Sequence, residues 1–200
     1  GVTGLAAADH HQEALGYVAD NRWLGECLTG AIADNPAIDW RAPATVSRVE
    51  PVAEGVRVAV DGPDEVQPLI CRCLVVADGG RSGLREQLGI SLQRHEYGQV
   101  ALIANVTTEQ PHQGTAYERF TASGPVALLP LSHGERPGHS SALVWTLTPE
   151  ALEEVLALSP EQRCARLQDV FGWRLGRFTR FGEIHHYPLS LVVADEWVRP

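Results

Sequence analysis

Asp78, Gly79, Gly80, Arg81, Ser82 and Arg85 form the densest group of chemically useful residues in this 200-residue chain. Asp78 can accept hydrogen bonds from sugar hydroxyls, and Arg81 and Arg85 can steer or pair with an anion. Gly79 and Gly80 remove side chains, so that backbone can approach a ligand closely. A plain turn with a charged surface is the competing reading of the same spacing. Ser82 also invites comparison with a nucleophile elbow, which needs Gly-x-Ser-x-Gly. Here the stretch runs Gly80-Arg81-Ser82-Gly83-Leu84, with Leu84 where the second glycine is required. No catalytic nucleophile is assigned, and no catalytic residue is identified.

These residues need an element to hold them. Cys71 to Ala77 is an apolar run broken only by Arg72. Such a run reads as a strand buried on both faces, the kind found in parallel sheets. Asp78-Gly79-Gly80 turns the chain, and Ser82 to Leu88 has helical character that stops at Gly89. Ligands of open α/β sheets sit outside the carboxyl ends of the strands, where such turns lie.

Upstream, Leu15 to Ala19 reads as a short strand, and Asp20 or Asn21 can cap a helix. Trp23, Leu24, Cys27, Leu28, Ala31 and Ile32 then recur at helical spacing. Trp23 on this stripe reads as core, and the helix is expected over 22–34. Ala44 to Val49 is extended, and Val56, Val58 and Val60 alternate before the Asp61-Gly62 turn. Val66 to Ala77 returns as a strand. Residues 15–90 thus read as part of a parallel sheet, with the helix packed on it and a β-meander added.

Beyond Gly89 the pattern changes without a flexible linker, so the border near 89–92 is expected to be packed. Val100–Val106, Thr115–Thr121, Val126–Leu131 and Ser141–Leu147 are strand-like with short connections, which implies an antiparallel sheet over 92–147. Helices are expected over 149–158 and 160–171. Thr148-Pro149 starts the first, and Ser159 to Gln162 has capping-box spacing before the second. Arg177 to Leu191 is extended. The expected class is α/β, α+β overall.

The formal charge of −9 argues against a nucleic-acid partner and against simple electrostatic docking on anionic lipid. All 16 basic residues are Arg, which reads as biased composition. Cys27, Cys71, Cys73 and Cys164 have no zinc-type spacing. The adjacent pairs His10-His11 and His185-His186 suit no i,i+4 metal site, so no metal is expected. No apolar run reaches the roughly 20 residues of a membrane helix, and the expected location is cytoplasmic.

Asp78-Gly79-x-Arg81-Ser82-x-Leu84-Arg85 resembles the Asp-Gly motif of the flavoprotein aromatic hydroxylases, with every specified position filled. The resemblance extends over Ala101–Val106, Ala116–Thr121, Gly124–Ser132, Ser141–Trp145 and Phe171–Gly176, which look like the ubiquinone-biosynthesis branch. It implies FAD as cofactor, contacted by Asp78, Gly79, Gly80, Arg81, Ser82 and Arg85, with Asn21 at the polar start of the first helix on the flavin side. NAD(P)H would be the co-substrate and O₂ the oxidant. A flavin C4a-hydroperoxide would hydroxylate a prenylated phenol, with the flavin carrying the chemistry. Other ubiquinone-biosynthesis proteins would be partners, with contact peripheral to the inner membrane.

The resemblance also implies a layout. Residues 15–90 would be a partial FAD-binding domain and 186–200 a return to it. Residues 1–14 would be the edge of a substrate domain spanning 91–185. The alternative is a non-catalytic scaffold of the same fold that binds a lipid or a partner.

Two departures stand out. The family opens with a Gly-x-Gly-x-x-Gly loop that holds the FAD pyrophosphate, and it carries a second Gly-Asp motif near the ribityl chain. Neither occurs in these residues. With no Met and an opening on Gly1 in mid-pattern, the chain is expected to be a middle section, inactive by itself.

The 200 residues alone should therefore bind FAD weakly or not at all. Charge-assisted hydrogen bonds worth about 1.5–3 kcal/mol each are missing from the pyrophosphate. Titration of the purified chain with FAD, followed by flavin fluorescence, checks this. A stoichiometric yellow complex would overturn it.

Overall fold

The computed structural model describes residues 3–62, 68–80, 83–132 and 136–199. After a short helical turn at Ala7–His10 come helix α1 (Asn21–Ala33) and strands β1 (Thr45–Val52), β2 (Gly55–Asp61) and β3 (Leu69–Cys71). Helix α2 (Gly83–Gln87) precedes strands β4 (Leu92–Thr108), β5 (Tyr117–Thr121), β6 (Gly124–Pro130) and β7 (Ser140–Leu147). Helices α3 (Pro149–Leu156) and α4 (Pro160–Phe171) lead to β8 (Phe178–Phe181) and β9 (His185–Ala194). The chain forms two compact units, one of Gly1–Glu26 and Gly98–Leu189, the other of Cys27–Tyr97 and Ser190–Pro200.

The first unit contains the antiparallel sheet expected over this part of the sequence, in the order β5-β6-β7-β4-β8, with β9 pairing β4. Its registry explains the alternation in sequence. Trp145 pairs with Leu102 on one side and Val126 on the other, so the three share a face. Leu102, Val126, Leu128 and Leu143 on that face are completely buried, together with Leu167 of α4. Each such side chain contributes about 1.5–3 kcal/mol. The Trp145 indole is 1% exposed, and its N–H has no hydrogen-bond partner among the described residues.

The two helices start where their capping residues stand. Thr148 accepts from the Ala151 N–H at 3.3 Å. Ser159 and Gln162 exchange backbone and side-chain hydrogen bonds at 3.3 and 2.9 Å, a complete capping box. The carbonyl ends are closed by arginines that local pattern does not reveal. Arg163 donates to Val155 O and Leu156 O at the end of α3, and Arg119 donates to Phe171 O at the end of α4.

Gln168 ties α4 to the loop after it and to β8. Its amide nitrogen donates to Gly172 O at 2.6 Å and Gly176 O at 3.2 Å, and its oxygen accepts from the Phe178 N–H at 3.1 Å. The side chain is 8% exposed, and one amide therefore satisfies three main-chain groups where water is largely excluded.

The second unit is the β-meander, β1-β2-β3, antiparallel throughout. Gly55, with φ +139°, is required at its tight end because a Cβ there would collide with the Cys71 carbonyl. Val49 and Val58 are its buried apolar side chains among the described residues. Gln87 of α2 grips the edge of β1, donating to Ser47 O at 3.0 Å and accepting from the Val49 N–H at 3.2 Å.

The mixed class stands, but three expectations for residues 15–90 are corrected. Strands β1, β2 and β3 pair only in antiparallel fashion, and the expected parallel sheet is not formed among the described residues. Residues 74–77 form no strand, and Val75 is 80% exposed. Parallel pairing needs a neighbouring strand reached through a long crossover, and an apolar run supplies the demand for burial without the partner. Helix α1 forms almost as expected, but none of its residues is buried. Trp23, read as core, is 59% exposed. The expected start of the returning strand at Val66 lies outside the described residues.

Replacing Gln168 with Ala should lower stability by about 3 kcal/mol, through three unsatisfied main-chain groups and a small cavity. A urea unfolding midpoint checks this, and a change within about 0.5 kcal/mol of zero, the range of ordinary surface substitutions, would contradict the role given to this amide.

Candidate functional site

The Asp-Gly turn lies in the second unit. Asp78, Gly79 and Gly80 are all exposed, and no described residue hydrogen-bonds the Asp78 carboxylate. Gly79 has φ +85°, a conformation that L side chains rarely adopt. A Cβ added at Gly79 or Gly80 would meet nothing within 4 Å. Among the described residues the turn therefore presents bare backbone and an exposed carboxylate, which fits a ligand carrying hydroxyl donors. Arg85, on α2, is partly buried and donates to Gly80 O at 3.4 Å, linking helix to turn. Arg81 and Ser82 lie outside the described residues.

Asn21 belongs to the first unit. Asp20, not Asn21, caps α1: its carboxylate accepts from the Arg22 N–H at 2.8 Å, and its carbonyl accepts from the Leu24 N–H. Asn21 is left exposed at the first helical position, its amide not used in the cap. Beside it lies a concavity of about 570 Å³ lined by Val18, Asp20, Arg22, Trp23 and Ser132, among others. Ser132 is not anticipated from sequence, because a lone serine after an apolar strand carries no local signal. No group of His, Cys, Asp and Glu residues suited to a metal ion occurs among the described residues.

The sheet of the first unit has a second face. Ile103 pairs with Val144 and Val144 with Ala127, while Asn105 pairs with Ala142 and Ala142 with Leu129. Ile103, Ala127, Leu129, Ala142 and Val144 are partly buried, in contrast to the sealed residues that alternate with them. Asn105 is the exposed amide in this apolar group. A half-buried apolar face with an exposed amide beside it suits an apolar ligand that carries an oxygen substituent.

No family model matches the chain. Its fold is that of the flavin-dependent monooxygenases. p-Nitrophenol 4-monooxygenase PnpA from Pseudomonas putida superposes with a TM-score of 0.64 over 89% of this chain and 44% of that one, at 15% identity. By sequence, the ubiquinone hydroxylase UbiL of Rhodospirillum rubrum is 35% identical over 188 residues, 94% of this chain and 42% of that protein. The 3-demethoxyubiquinol 3-hydroxylase of Escherichia coli is 25% identical over 97% of this chain and 47% of that protein. Along nearly its whole length the chain is similar to hydroxylases of ubiquinone biosynthesis. It spans about half the length, or less, of the curated relatives it matches.

The cap geometry separates the two roles available at the start of α1. Asp20→Ala should weaken the helix by about 1 kcal/mol, whereas Asn21→Ala should leave it intact. Amide hydrogen exchange over 21–33 distinguishes them, and equal loss of protection in both variants would make Asn21 part of the cap.

Proposed function

We propose that this chain is part of an FAD-dependent aromatic-ring monooxygenase that hydroxylates a prenylated phenol in ubiquinone biosynthesis, with O₂ and NAD(P)H as co-substrates. The observation that carries this reading is the 35% identity to a ubiquinone hydroxylase along 94% of the chain. The open Asp-Gly turn, which fits such a cofactor, supports it.

FAD, when bound, supplies the oxygen-activating and electron-transfer chemistry. The chain's own residues bind and orient. Asp78 accepts from cofactor hydroxyls, and Gly79 and Gly80 allow close approach of the backbone. Arg81, Ser82 and Arg85 contribute the polar and cationic rim of the same motif, and Asn21 offers its unused amide on the flavin side. Residues 15–90 and 186–200 serve the cofactor, and 1–14 and 91–185 the substrate. The wall of Ile103, Ala127, Leu129, Ala142 and Val144 keeps water from the phenol, and Asn105 is placed to hydrogen-bond a ring oxygen. Among the described residues, no helix is long and apolar enough to cross a membrane. In this reading a greasy substrate is met by contact at the membrane surface, from the cytoplasmic side, in company with other proteins of the pathway.

In the whole gene product, Asp78→Ala should cost about tenfold or more in FAD affinity, the effect of losing hydrogen bonds to a charged acceptor. It should also lower product formed per NAD(P)H consumed. Flavin per folded protein and the coupling ratio are the measurements. If both match the unsubstituted protein, the Asp-Gly stretch is only a turn.

A further inference from the structure

We infer that Arg199, held by Glu196, is a positioning residue that fixes the helix carrying the Asp-Gly turn, an inference that rests on the reading of that turn as a cofactor contact. Helix α2 has five residues, too few to be stable through its own hydrogen bonds. Its orientation, and that of the turn linked to it through Arg85, must come from outside the helix.

Among the described residues of the second unit, two anchors are present. The first is Gln87, which replaces a strand neighbour along the edge of β1. The second lies more than a hundred residues away in sequence. The Arg199 guanidinium donates to Leu88 O and, at 3.4 Å, to Gly89 O. These carbonyls close the α2 turn, at a helix end that favours a cation.

Arg199 is in turn aimed by a two-point ion pair with Glu196, Nε to Oε2 at 2.8 Å and Nη2 to Oε1 at 3.3 Å. This hydrogen-bonded pairing holds the Glu196 carboxyl below its ordinary pKa and the guanidinium above its own. The neighbouring backbone continues the seam. The Asp195 N–H donates to Ser91 O at 3.0 Å, and the Gln93 amide donates to the Asp195 carboxylate at 3.1 Å. Residues 195–199 thus form a strap along 88–93. Its charged element sits at the end of the helix opposite the turn, so it acts on the turn through α2 and not by touching a ligand.

The test uses the whole gene product, with Arg199→Ala, Arg199→Lys and Asp78→Ala side by side. Hydrogen exchange reports the strap without any cofactor. Amides of 83–91 should exchange about tenfold faster in Arg199→Ala, with recovery in Arg199→Lys, which keeps a cation for the carbonyls. Peptides from β5 to β7 should be unchanged, showing that the protein is folded. FAD titration followed by flavin fluorescence reports the consequence: weaker binding in Arg199→Ala, restored in part by Arg199→Lys.

Unchanged exchange over 83–91 overturns the inference. Faster exchange with normal FAD affinity, while Asp78→Ala binds FAD poorly, also overturns it: the strap then holds the helix without positioning the turn. Normal FAD affinity in Asp78→Ala and Arg199→Ala alike overturns the cofactor reading of the turn itself.

Discussion

A buried amide has to be satisfied on every side, and the packing of the first unit depends on how Gln168 meets that condition. The side chain binds the end of its own helix through Gly172 O, the next loop through Gly176 O and the start of β8 through the Phe178 N–H. Because these bonds are directional, α4 cannot slide or rotate over the sheet without breaking several at once. Leu167 and Phe171, beside it on the helix, are thereby held against the core. Apolar burial supplies most of the stabilisation, but it is non-directional. The amide fixes which of many apolar packings is adopted.

That fixed helix layer makes the sheet two-faced. Period-two alternation gives Leu102, Val126, Leu128, Leu143 and Trp145 to the helices and gives Ile103, Ala127, Leu129, Ala142 and Val144 to the opposite side. Both sets are apolar, but only the first is sealed. A half-buried apolar face is less costly to cover with an apolar ligand than a polar one, because no hydrogen bonds to water are lost. The helix side is also where the Trp145 ring lies buried, its indole N–H without a partner among the described residues.

Parts of this architecture are legible in the sequence and others are not, for physical reasons. The antiparallel strands and α3 and α4 can be read because alternation and capping are local: Thr148-Pro149 and Ser159-Pro160-Glu161-Gln162 determine where those helices begin. The first half of β4 escapes such a reading because Gln93-Arg94-His95-Glu96-Tyr97 has no apolar alternation and is exposed along its length. Leu74 to Ala77 reads falsely as a buried strand because an apolar run reports a need for burial, whereas pairing depends on partners elsewhere in the chain. At α1, two adjacent residues could each cap, and only the backbone decides between Asp20 and Asn21. The arginines at helix carbonyl ends are invisible in sequence, since a carbonyl can accept from any cation that arrives.

The same distinction governs the site. Residue types identify the Asp-Gly turn as a place where chemistry could happen, and the turn is indeed open, with Gly79 at positive φ and nothing crowding either glycine. Openness alone does not make a binding site, because a loop free to move loses ordering entropy when a ligand arrives. Any preorganisation of the turn has to draw on hydrogen bonds made by the residues around it. Gln87 provides it from a strand edge, and Arg199 from a segment more than a hundred residues away. Both work by satisfying backbone groups on or beside a helix too short to stand alone, and Asp78 stays exposed at the turn.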